Sequence, residues 1–111
     1  TVAGVVGGTD GDDAMREAVH ATCPGLDEAE VAIELHRRIA SSPAALCLAS
    51  LEDLAGLDER PNYPGTVTPR NWSHRMPAAC ETILNDEPAH SVVAAMGEAR
   101  LAWSGHGRRQ R

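Results

Sequence analysis

The chain has 111 residues, of which 42% are apolar and 3% aromatic with no Phe, and a formal net charge of −6. That length holds one small domain or a piece of a larger one, and an Ala, Val and Leu interior without large rings makes a thin core. The acidic balance argues against nucleic-acid binding, which needs a concentrated basic face, and no apolar run approaches the ~20 residues of a membrane helix.

The order of predicted elements starts with Thr1 to Gly11, a Gly-rich loop containing a short apolar piece. No Gly-Lys-Ser/Thr follows, so it is not a phosphate loop. Asp12 or Asp13 can cap a helix through about Thr22, with Met15 and Val19 on one face, and Cys23-Pro24-Gly25 stops it. Asp27 and Glu30 resemble a capping box that opens a second helix. Val31, Leu35 and Ile39 recur along it at i, i+4, i+8, with Ala32 and His36 beside them. Arg37 and Arg38 suit its C-terminal dipole, and Ser41-Ser42-Pro43 ends it.

Ala44 to Leu51 (AALCLASL) carries no charge. Its length and flanking turns predict a strand buried on both faces, as in a parallel sheet; its Ala and Leu content favours the competing helical reading. Leu51 to Leu57 predicts one or two helical turns closed by Gly56. Pro77 can open a helix through about Asn85, and Glu87 to Trp103 a last one with Val92, Val93, Met96 and Leu101 apolar. Residues 104–111 predict a disordered, basic tail. A lone buried strand needs neighbours for its backbone donors, so the rest of the sheet is expected outside these residues.

The densest run of turn formers lies between Leu51 and Met76, where Pro61, Asn62, Pro64, Gly65, Pro69 and Asn71 accompany Tyr63 and Trp72. Such a rigid, irregular loop is where recognition is usually placed. Cys23, Cys47 and Cys80 are odd in number and form no Cys-x-x-Cys pair, which fits neither a disulfide framework nor a zinc site. They predict buried or free thiols in a reducing cytoplasm, and no signal-peptide pattern is present. The chain opens on Thr1 rather than Met, which with the thin core leads to the expectation of a piece of a longer protein.

Three motifs in this region resemble the C-terminal part of the amylomaltases, or 4-α-glucanotransferases. They are Leu51-Glu52-Asp53-Leu54, then Asn62-Tyr63-Pro64-Gly65-Thr66, then Asn71-Trp72 with Arg75 nearby. The run from His36 to Leu54 is similar to the family's helix and strand leading into this loop, and the opening residues to the continuation of its Thr-His-Asp-Leu-Pro-Thr segment. Val5-Val6 and Ser73-His74 depart from the family pattern, and the last 30 or so residues match nothing in it.

The resemblance implies an α/β fold in which residues 1–103 form the C-terminal quarter of a (β/α)8 barrel, mostly helical with one or two short parallel strands. It implies transfer of α-1,4-glucan segments between malto-oligosaccharides by a retaining mechanism. Such chemistry needs two carboxyl groups about 5 Å apart, and the family adds a third; all three are expected upstream of Thr1, so no catalytic residue is assigned here. No cofactor and no metal is implied. The expected partners are a malto-oligosaccharide or α-1,4-glucan and the rest of the same barrel, with no nucleic acid and no membrane.

Substrate binding is then assigned to Asn62, with Gly65 of the same motif beside it. One carboxamide offers an acceptor and donors to glucose hydroxyls, and Pro61 and Pro64 would hold it still; the competing role for Asn62 is to cap its own turn. Trp72 could stack on a sugar but is read as packing. Asn71-Trp72-Ser73 forms a glycosylation triplet of the kind that arises by chance. Glu52 and Asp53 are expected to cap the short helix, and His20, His36, His74, His90 and His106 have neither metal spacing nor a nucleophile partner. The alternative function is a small, non-catalytic helical interaction module.

Overall fold

Helices in this chain begin where a short polar side chain takes up an unpaired amide. In the computed structural model, which describes residues 1–106, Thr1 Oγ1 accepts from Gly4 N–H at the start of α1 (Val2–Gly7) and Asp12 accepts from Met15 N–H at the start of α2 (Asp13–Thr22). Asp27 and Glu30 form a complete capping box on α3 (Glu28–Ala40), as expected. Ser50 rather than an acidic residue caps α4 (Leu51–Leu54). α5 (Cys80–Asn85) begins three residues after Pro77, where a start was expected, with Ala79 as a cap that makes no side-chain bond, and α6 (Glu87–His106) follows almost directly. Residues 107–111 of the expected tail lie outside the described residues.

Two expectations are corrected. The Gly-rich opening is helical from Val2, because Thr1 caps it and Gly8, at φ +80°, closes it with Thr9 N–H on Gly4 O and Gly8 N–H on Val5 O. The strand at Ala44–Leu51 is not formed, and with it falls the α/β, barrel-quarter fold: among the described residues there is no strand and no sheet. A strand needs a neighbour for its ladder, and no other extended segment among the described residues pairs with this one. Residues 44–50 instead run against α6, where the Arg100 guanidinium donates to Ser42 O at 3.1 Å and Ala45 O at 3.4 Å. Ala49 turns inward while Leu46 and Leu48 remain about three-quarters exposed.

The core lies between α3, α4 and α6, with Leu54, Ala89 and Val92 at its centre and Ala32, Ile33, Ala49 and Met96 packed around them. Buried positions elsewhere are mostly small: Ala3, Cys23, Ala40 and Ala95 beside Val31 and Ile83. This matches the thin interior read from composition. The radius of gyration is 15.7 Å, against about 13 Å for a compact domain of this length, and a hollow of about 440 Å³ remains between α1, α3, α4 and α6. The core face of α3 is also narrower than its periodicity predicts. Val31, His36 and Ala40 are buried, but Ile39 is half exposed. His36 compensates its burial by donating from Nδ1 to Ala32 O at 2.8 Å.

These placements separate two apolar residues that look alike in sequence. Leu54→Ala is expected to cost about 2–5 kcal/mol, whereas Ile39→Ser should stay within about 0.5 kcal/mol of the parent. Denaturant unfolding of both variants measures the difference.

Candidate functional site

Residues 57–79 form one long irregular segment between α4 and α5. Its entry is set by α4, whose end is closed by Gly56 at φ +66° with Leu57 N–H on Glu52 O and Gly56 N–H on Asp53 O. The segment is then tied to the chain's first helix. Thr1 Oγ1 donates to Asp58 O at 3.2 Å, and Arg60 reaches Asp10 at 3.1 Å. Asp53 does not cap α4; its Oδ1 accepts the Val2 amide at 2.7 Å, joining α1 to α4 across 51 positions. Gly4 lies inside this joint, where an added Cβ would sit 2.8 Å from both Asp10 Cβ and Asp58 O. No sequence spacing points to these contacts, because each partner is distant along the chain.

Asp10 is nearly buried and accepts from the Thr1 ammonium at 2.9 Å. That hydrogen bond holds its carboxyl below the usual carboxylate range against the opposing effect of burial, helped by the Gly11 amide and the Arg60 charge.

Inside the loop one side chain makes the decisive contacts. Asn71 Oδ1 accepts from Tyr63 N–H at 3.0 Å, while its Nδ2 donates to Thr66 O and Thr66 Oγ1 at 3.0 and 3.1 Å. Trp72 N–H donates to Pro61 O at 2.7 Å. The residues on either side of Asn62 are therefore both clamped to the Asn71-Trp72 pair. Pro64-Gly65 makes the reversal between them: Pro64 presets φ, Gly65 takes φ +78°, and Thr66 N–H closes on Tyr63 O at 3.2 Å.

Asn62 itself is half-buried, and its carboxamide makes no hydrogen bond to any described residue. The turn-capping role weighed for Asn62 belongs to Asn71. With both polar atoms of its carboxamide engaged, Asn71 is also a poor glycosylation acceptor. Tyr63 is occupied as well, with the Arg60 and Arg70 guanidiniums 5.8 and 5.9 Å from its ring centre. Together with Glu59, Ser73 and His74 these three residues line a recess of about 250 Å³, which Asn62 and Gly65 do not line. His74 Nδ1 contacts Glu59 at 2.9 Å, and its buried Nε2 has no partner. Trp72 is not packed; it is 75% exposed.

Among the described residues no group of His, Cys, Asp and Glu could hold a metal, and the three cysteines are free. No helix among them is long and apolar enough to cross a membrane.

A family profile described as 4-alpha-glucanotransferase matches residues 7–81 of the chain. The chain belongs to the 4-alpha-glucanotransferase family. The match takes in α2, α3, α4 and the whole Asn62 loop, and ends at the start of α5. Comparisons with curated proteins and with solved structures gave no match.

Two measurements follow for this loop and its joint with the first helix. Asn71→Ala removes three hydrogen bonds and should lower stability by about 1–3 kcal/mol, read from denaturant unfolding. Because the folded Asp10 carboxyl titrates low, its contribution is complete above the ordinary carboxylate value of about 4 and is lost as pH falls through the lower folded value. In the 111-residue chain with a free Thr1 amine, Asp10→Asn should therefore be less stable than the parent at pH 6, with the gap closing as both are acidified.

Proposed function

We propose that this chain serves α-1,4-glucan transfer by holding the malto-oligosaccharide, with Asn62 as the residue that hydrogen-bonds the sugar. The observation that carries this reading is the contrast at Asn62. The backbone on both sides is fixed by Asn71 and Trp72, yet the carboxamide between them is unspent. A donor and acceptor carried on a clamped backbone, without an internal partner, suits the hydroxyl pattern of glucose and leaves less backbone to order on binding. Gly65 contributes through the turn it permits rather than through a contact.

Neither of the two carboxylates whose titration is displaced is tuned as a catalytic acid would be. A retaining mechanism needs an acid whose carboxyl is raised toward neutrality. Asp10 and Glu34 are both shifted the other way, Asp10 by the Thr1 ammonium and Glu34 first by its hydrogen bond from Arg38. Neither is poised to give up a proton to a leaving group.

The all-helical fold of the described residues favours one second reading, a non-catalytic interaction module. Family membership weighs against it. Asn62→Ala in the glucanotransferase should weaken use of malto-oligosaccharides about two- to tenfold, the worth of one hydrogen bond, as measured by the KM for maltotriose. Transfer kinetics identical to the parent would remove Asn62 from the site.

A further inference from the structure

The one non-glycine residue with positive φ among the described residues is Trp72, at φ +63°. This left-handed conformation crowds a Cβ against the backbone, and Gly, Asn or Asp would occupy it more easily. Strain of this kind persists only where neighbouring contacts over-determine it. Here the Trp72 amide is pinned to Pro61 O at 2.7 Å, and the preceding Asn71 is fixed by its own three hydrogen bonds. The side chain gains little packing from the arrangement, since Trp72 is 75% exposed. Exposure alone would not mark it, because Leu46 and Leu48 are about as exposed and Val67 more so. What distinguishes Trp72 is a large flat ring carried outward on an unfavourable backbone that its neighbours enforce. Tyr63, by contrast, has its ring engaged by Arg60 and Arg70.

We propose that Trp72 is a stacking platform for a pyranose ring of an α-glucan, a contact additional to Asn62. The proposal rests on the glucan reading of this loop. A pyranose presents an apolar C–H face and a hydroxyl edge. An exposed indole takes the first, as an amphipathic ring does elsewhere, and an unspent carboxamide takes the second. Trp72 N–H bonds the residue just before Asn62, so the two groups stand on directly paired stretches of one loop.

The test uses the full chain carrying Trp103→Phe, which leaves Trp72 as the sole indole. Titration with maltotriose should shift Trp72 emission saturably. Trp72→Asn should weaken maltotriose binding by about fivefold or more, with a Tm equal to or above the parent because the strain is relieved. Asn62→Ala should weaken binding yet leave the emission shift at saturation. A lowered Tm with unchanged affinity in Trp72→Asn would make the indole structural and overturn the proposal. So would an Asn62 side-chain amide resonance that moves with maltotriose while Trp72 emission does not, although Asn62 would then keep its role. Unchanged affinity in Asn62→Ala with weakened affinity in Trp72→Asn would sustain the platform and remove Asn62. No response from either residue would remove both.

Discussion

The loop depends on one carboxamide. Asn71 accepts from the amide of Tyr63 and donates twice to Thr66, and by doing so it closes a segment that has no helix or sheet to hold it. Three prolines and a glycine limit the conformations available to residues 61–69, but limiting them is not the same as selecting one. The choice is made where Asn71 and the adjacent Trp72 amide bracket residue 62 from both sides. The energy spent on Trp72's left-handed backbone is recovered from those same bonds, so order and strain here have one source.

The loop is also attached at its base. Asp53 takes the Val2 amide, Arg60 pairs with Asp10, and the Thr1 hydroxyl reaches Asp58, so the first helix and the entry to the loop form one polar joint. Apolar packing alone would not supply this rigidity. The core is built of small side chains around Leu54, Ala89 and Val92, and several Leu, Ile and Val side chains stay exposed. A buried, paired carboxylate is a modest source of stability; here Asp10, with the half-buried Asp53, ties the loop's entry to the first helix.

Much of the helical layout was legible because its signals are local. The Asp27–Glu30 capping box, the Asp12 cap and the stop at Pro43 each involve residues within a turn of one another, and each formed as expected. The failures involve partners far away in the chain. AALCLASL has the length and the flanking turns of a buried strand, but whether it pairs depends on a neighbour that no local pattern supplies, and the chain instead lays it along α6 under Arg100. Val2–Gly7 was read as a loop from its glycines, although Thr1 caps it and its last glycines end it. At the site, the Asn62 loop and its family were readable from three motifs in order. That the turn contacts weighed for Asn62 are made by Asn71 was not, since they join residues five and eight positions apart. Trp72 was read as packing because a lone Trp usually is; its positive φ cannot be seen in sequence.

The central claim is that the loop is held in one conformation around Asn62 before any sugar arrives. Native-state amide hydrogen exchange of the unliganded chain tests this most directly. The bonded amides of Tyr63 and Trp72 should exchange on the order of tenfold more slowly than those of Asn62 and Val67, which have no acceptor among the described residues. Equal, rapid exchange at all four positions would show that the clamp does not persist in solution, and the loop would then have no preformed site to offer.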